Sequence, residues 1–174
     1  MSVTTGRVFT DKEIAYLNGQ RIGRLATAGA DGAPHNVPVG VHYNAELDTI
    51  DIGGFALAGS RKYRDVLANP KVAFVVDDVV AFDPWVARGI EIRGLATAYA
   101  EGGRAAGFPA EELIRIVPTR IVSWGIEAHW QTGFHSRRVP AQAAGRDADP
   151  HIQHRDGHGE AEARGEDREG ARHA

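Results

Sequence analysis

Between residues 21 and 127 apolar and polar positions alternate with a period of two, and the runs are broken by Gly, Pro, Asn and Asp. Six stretches carry this strand signature: RIGRLATA (21–28), HNVPVGVHY (35–43), TIDIGG (49–54), KVAFVVDDV (71–79), IEIRGLATAYA (90–100) and LIRIVPTRIVSWGIE (113–127). The turns GADGAP and NAELD and the loop VAFDPWVARG punctuate them. Two segments switch to helical spacing. Over residues 11–19, Thr10 stands as N-cap and Glu13 occupies the capping-box position. After Ser60, a second N-cap, Tyr63, Val66 and Leu67 fall on one stripe, and Asn69-Pro70 is a stop. Six strands and two short helices predict a mainly β fold, a small antiparallel barrel with flanking helices.

The second of these strands has two unlike faces. Val37, Val39, Val41 and Tyr43 alternate on one, which marks it as the core side. Asn36, Pro38, Gly40 and His42 occupy the other. Pro and Gly weaken a ladder and are tolerated at an edge or where something approaches the backbone closely. A flat ring lying against Pro38 and Gly40 accounts for both, and so does an ordinary edge strand with a bulge. Gly53 and Gly54 add a second low-profile stretch just ahead of the Ser60 helix.

Arg61 and Lys62 sit in the first turn of that helix. A helix start already carries partial positive charge and free N–H groups, so cations are favoured at the opposite end. A bound phosphate or carboxylate removes the conflict, held by the Ser60 hydroxyl, the backbone amides, the Arg fork and the Lys charge. Spacing alone leaves open the alternative of a solvated helix start whose basic side chains reach water.

Composition narrows the function classes. The chain of 174 residues has length for one domain with a sizeable core, and it contains no Cys, which removes disulfides, thiolate metal sites and Cys nucleophiles. Residues 141–174 hold a single Ile, no aromatic residue and a dense mix of charge, Gly and His, too little apolar surface to offset ordering entropy. The expected organisation is therefore a folded domain over residues 1–140 and a disordered tail over 141–174. The tail carries the whole formal net charge of −3, and the body is balanced, so no global basic excess grips nucleic acid. Tail residues His151, His154, His158 and His173 lack the regular spacing of a metal site. The first thirty residues show no signal-type apolar region and no later run approaches a membrane span, so a cytoplasmic protein is expected.

Taken in order, RIGRLAT, GAPHNVPVGVHY, DTIDIGG, SRKYRDVLANPKVAFVVDD, DPW, GIEIRG and RIVPTRIVSWG resemble the pyridoxamine 5′-phosphate oxidase-like split β-barrel superfamily. More closely, the set is similar to the branch that uses the deazaflavin coenzyme F420, over most of residues 21–125. The resemblance implies a six-stranded split β-barrel and a homodimer with the cofactor in the groove between protomers. It carries phosphate binding to Ser60, Arg61 and Lys62. It lays the ring near Asn36, Val37, Pro38 and Val39, with Gly53 and Gly54 alongside. Trp85 of the DPW loop and Trp124 of SWG are then candidates to line the groove, from opposite subunits or as packing residues.

The implied activity is that of an oxidoreductase in which reduced F420 delivers a hydride to a conjugated C=C of a small, polycyclic or quinone-like substrate. Tetracycline-type intermediates of antibiotic biosynthesis are among the substrates this branch suggests. The cofactor carries the hard chemistry, so no Ser-His-Asp or metal-ligand set is needed and none is evident in the sequence. His42, on the Pro38 and Gly40 face, is the candidate proton source, with a hydrogen-bonded rim histidine as the alternative. FMN in place of the deazaflavin, or a cofactor-binding protein without turnover, are the competing readings. FMN relatives surround their terminal phosphate with several Arg, Lys and Ser residues, whereas here Arg64, Arg88 and Arg137 are the only supplements to the Ser60 cluster.

Overall fold

A computed structural model describes residues 7–140; the expected tail and its histidines lie outside the described residues. Both helices form where their caps stand. In α1 (Asp11–Gly19) the Thr10 side chain accepts from the Glu13 amide while the Glu13 carboxylate accepts from the Thr10 amide. In α2 (Arg61–Ala68) Ser60 caps the Tyr63 amide, and the helix stops at Asn69.

Eight strands form one antiparallel sheet: β1 (Ile22–Ala28), β2 (Pro34–Gly40), β3 (Tyr43–Asn44), β4 (Thr49–Ile52), β5 (Lys71–Phe82), β6 (Trp85–Tyr99), β7 (Leu113–Trp124) and β8 (His135–Arg138). Their order is β2-β1-β5-β6-β7-β4-β3, with β8 paired to β7. The two ends of that order, β2 and β3, are separated in sequence by Val41 and His42 alone. A sheet whose outermost strands are consecutive in the chain must curl until its edges approach. This gives the half-open barrel that the mainly β, split-barrel expectation describes. At the turn between β2 and β3 the Val41 amide donates to the Arg21 carbonyl (3.2 Å), extending the β1–β2 ladder, and the Asp51 amide donates to the His42 carbonyl (2.9 Å), extending the β3–β4 ladder.

All six expected strands are present, and the structure adds detail that the alternation concealed. The 35–43 strand breaks at that turn into β2 and β3. The expected loop at 80–89 is instead the end of a long β5–β6 hairpin, in which pairing runs from Lys71↔Leu95 to Phe82↔Trp85. The short β8 has no apolar rhythm to betray it.

Inside the curl pack Leu25, Ile50, Ile52, Phe74, Val76, Ile90, Ile92, Ile114, Ile116 and Ile121, all buried. Burial on β7 changes phase between Ile116 and Ile121 because a bulge opposite Arg93 and Gly94 adds a residue. Asp51 is fully buried on β4 and directly opposite Arg115, whose guanidinium pairs with it through two hydrogen bonds of 2.8 Å.

Candidate functional site

At the start of α2 the Ser60 hydroxyl is committed locally. Its oxygen accepts from the Tyr63 amide (3.4 Å) and it donates to the Leu57 carbonyl (2.6 Å). It shapes the turn: of the four amides a helix start leaves without an acceptor, that of Ser60 bonds the Leu57 carbonyl and that of Tyr63 the Ser60 hydroxyl, leaving those of Arg61 and Lys62. Arg61 is exposed and Lys62 half-buried, and no acidic residue shares their turn. Among the described residues Lys62 has no carboxylate partner. The side chains and amides that an anion requires are thus together, with the hydroxyl serving as cap.

The three supplementary arginines are engaged elsewhere. Arg88 pairs with Asp78 through two hydrogen bonds and lies 5.0 Å over the Tyr16 ring. Those bonds hold the Asp78 carboxyl below its ordinary value against the opposing effect of burial. Arg137 clasps the fully buried Glu13 and also donates to the Val8 carbonyl (2.9 Å). Burial pushes the Glu13 carboxyl up, but the Arg137 bonds, the Thr10 amide and the Arg137 charge outweigh it, so Glu13 titrates below its ordinary value. Arg64 donates to the Gly59 carbonyl (2.9 Å). Arg61 and Lys62 are left as the basic pair of the cluster.

The two faces of β2 are as the alternation predicts: Val39 is buried and Val37 half-buried, while Asn36, Pro38 and Gly40 are exposed. Register extends the outer face across the sheet. Asn36 lies opposite Ala26, Ala26 opposite Ala73, and Ala73 opposite Arg93. Along these rows runs an open groove of ≈ 520 Å³, floored by Ala26, Ala28 and Ala73 and bounded by Pro34, Lys71 and Leu95. Its volume lies in the range of small-molecule sites, and its floor carries no side chain beyond Cβ. A Cβ built on Gly40 or Gly54 meets nothing within 4 Å, so neither glycine is there to make room for the chain's own packing.

Gly53 differs from its neighbour. A Cβ there would come within 2.2 Å of the Phe108 ring, so this glycine makes room for an aromatic side chain of the same protein. Phe108 also meets His42 edge-on, with ring centroids 5.0 Å apart, and His42 is otherwise exposed. Phe108 was not legible as a site neighbour, because its loop carries no motif.

The two tryptophans part company. Trp124 is half-buried, with its ring over Gly89, where a Cβ would lie 2.2 Å away, and edge-on to Phe134. Trp85 is 48% exposed at the end of the β5–β6 hairpin, with its ring edge-on to Phe82. It is remote from α2. The helix is tied to Thr27 on β1, beside Ala26, which pairs with Ala73 of β5, and Trp85 pairs with Phe82, nine residues and roughly 30 Å of strand further on.

No group of three or more potential metal ligands occurs among the described residues, and no described helix is long and apolar enough to cross a membrane. The family model described as pyridoxamine 5′-phosphate oxidase matches residues 9–129. The chain belongs to this family. A relative from Streptomyces rimosus, 5a,11a-dehydrotetracycline/5a,11a-dehydrooxytetracycline reductase, is 52% identical over 139 residues, covering 79% of this chain and 98% of the relative. Two proteins of solved structure share the fold. The conserved hypothetical protein Rv2991 of Mycobacterium tuberculosis has a TM-score of 0.55 at 22% identity, over 82% of this chain and all of the other. General Stress Protein 26 of Bacillus anthracis has a TM-score of 0.54 at 20% identity, over 74% of this chain and 97% of the other.

Proposed function

We propose that the protein is a reductase that uses reduced coenzyme F420 to saturate a conjugated C=C of a polycyclic, dehydrotetracycline-type substrate. The observation that carries this reading is the 52% identity to a reductase of that name across nearly its whole length. The surfaces fit the cofactor class. Arg61, Lys62 and the first amides of α2 suit its phosphodiester, and the outer face of Asn36, Pro38 and Gly40, with the alanine floor beside it, suits a planar ring. Val37, Val39 and Gly54 supply backbone around that face. When bound, the reduced cofactor supplies the hydride.

The chain's own part is orientation, charge matching and exclusion of water. Arg61 and Lys62 anchor one end and fix the depth at which the ring sits. His42, two residues beyond Gly40 and held edge-on by Phe108, is the proposed proton source for the neighbouring carbon. Trp85 is the proposed aromatic wall for the substrate. Because one chain separates it from α2 by the length of the hairpin, the reading places it over the site of a second copy, in a homodimer working in the cytoplasm. The exposed Phe82, Val80 and Leu95 supply apolar surface for such a contact.

Membership of an oxidase family named for a flavin-type reaction favours a second reading, in which FMN takes the deazaflavin's place. Fluorescence titration with oxidised F420 and with FMN separates them: tight F420 and weak FMN binding is expected, and the reverse preference selects the flavin. Oxidation of reduced F420 that depends on added 5a,11a-dehydrooxytetracycline tests turnover. Binding without turnover leaves a cofactor-binding protein.

A further inference from the structure

Behind the basic pair stands a carboxylate that the anion site does not explain. Asp65 follows Arg61 by one helical turn, and its side chain is 9% exposed. Three elements face it. Thr27 of β1 donates to its Oδ2 at 2.7 Å, Arg61 of α2 places Nε 3.7 Å from the same oxygen, and His35 of β2 places Nδ1 at 3.7 Å, a buried nitrogen without a hydrogen-bond partner. Gly29 keeps the room for it, since a Cβ there would lie 3.0 Å from Asp65 Oδ1.

A buried carboxylate beside an anion site would repel the anion unless its charge were answered by a cation. We infer that Asp65 is the positioning residue for Arg61, holding the Nε edge of the guanidinium so that its Nη edge faces the anion; the inference rests on the anion-site reading above. A guanidinium presents its donors in a rigid planar fork, so fixing one edge aims the other. An exposed Arg otherwise loses rotamer freedom at the moment of binding, and Asp65, itself fixed by Thr27, removes part of that loss beforehand.

The test compares ligands with and without the phosphate: F420 against its deazariboflavin core, and FMN against riboflavin, titrated into the full chain. Asp65→Asn keeps the shape and the Thr27 contact and removes the charge. It is expected to weaken the phosphate-bearing ligand about threefold to tenfold while leaving the phosphate-free partner unchanged. Arg61→Ala is expected to weaken the same ligand by tenfold or more, and the double variant to bind no worse than Arg61→Ala alone. Thr27→Val, which frees the carboxylate without touching charge, should show a smaller loss in the same direction.

Wild-type affinity in Asp65→Asn, additive losses in the double variant, or an equal loss for phosphate-free ligands overturns the positioning role while Arg61→Ala still shows its defect. An Arg61→Ala protein that binds F420 and FMN normally, or a wild type that binds neither pair, overturns the anion site and this inference with it.

Discussion

Glu13 is fully buried at the foot of α1, and its charge is matched by Arg137 reaching in from β8. Removing one partner of such a pair strands the other, so Glu13→Gln is expected to destabilise the fold by about 3 kcal/mol in denaturant titration. The pH dependence has a definite sign. The folded Glu13 carboxyl titrates below its ordinary 4.5, so its contribution is complete above that value and disappears as pH falls through the lower, folded value. Thermal melts of the wild type should therefore drop steeply below about pH 4.5, and the Glu13→Gln variant should have lost part of that slope. Lys62 has no carboxylate partner among the described residues, and Arg61 meets Asp65 only through its Nε edge, at 3.7 Å, which leaves its Nη edge for a ligand. Replacing both by Ala should leave the melting temperature within a few degrees and weaken cofactor binding by tenfold or more, since each charge-assisted contact contributes about 1.5–3 kcal/mol. Unchanged affinity would remove the anion site.

At the level of elements, β2 and α2 were readable because each states its environment locally. The Val alternation fixes which face of β2 is inward, and Ser60 with Asn69-Pro70 fixes both ends of α2. What the alternation could not express is where a continuous run changes partners. The break at Val41 and His42 exists because the sheet curls there, a long-range fact. β8 forms because β7 offers an edge and Arg137 has Glu13 to reach. The 80–89 segment reads as a loop because of Asp83-Pro84, yet pairing closes right up to Phe82 and Trp85. Glycines show the same limit: Gly40 and Gly53 look alike in sequence, and only packing tells them apart. Gly53→Ala drives a methyl into Phe108 and should destabilise by about 1–3 kcal/mol while shifting the His42 environment, visible in its NMR signals. Gly40→Ala meets nothing and should change stability by less than about 0.5 kcal/mol, so any loss of cofactor affinity there reports the ring's seat directly.

On the scale of the whole molecule, the candidate parts stand at opposite ends of the β5–β6 hairpin. The basic pair belongs with the α2 end of the sheet, next to Thr27, and Trp85 stands at the far end of the β5–β6 hairpin. Sequence order alone did not fix this separation, since it depends on β5 running its full length between Lys62 and Trp85. If each site takes its anion cluster from one copy and its aromatic wall from the other, two defective chains can repair each other. A chain carrying Arg61→Ala and Lys62→Ala and a chain carrying Trp85→Ala should each reduce substrate slowly alone. Unfolded and refolded together, they form a mixed dimer in which the intact basic pair of the second faces the intact Trp85 of the first, making one wild-type site. Activity in the mixture should then exceed the sum of the separate proteins, with a dimeric mass by light scattering. Were both parts drawn from the same chain, every site in every mixed dimer would retain a defect and no activity would return, so the sign of that single comparison decides whether the hairpin reaches across.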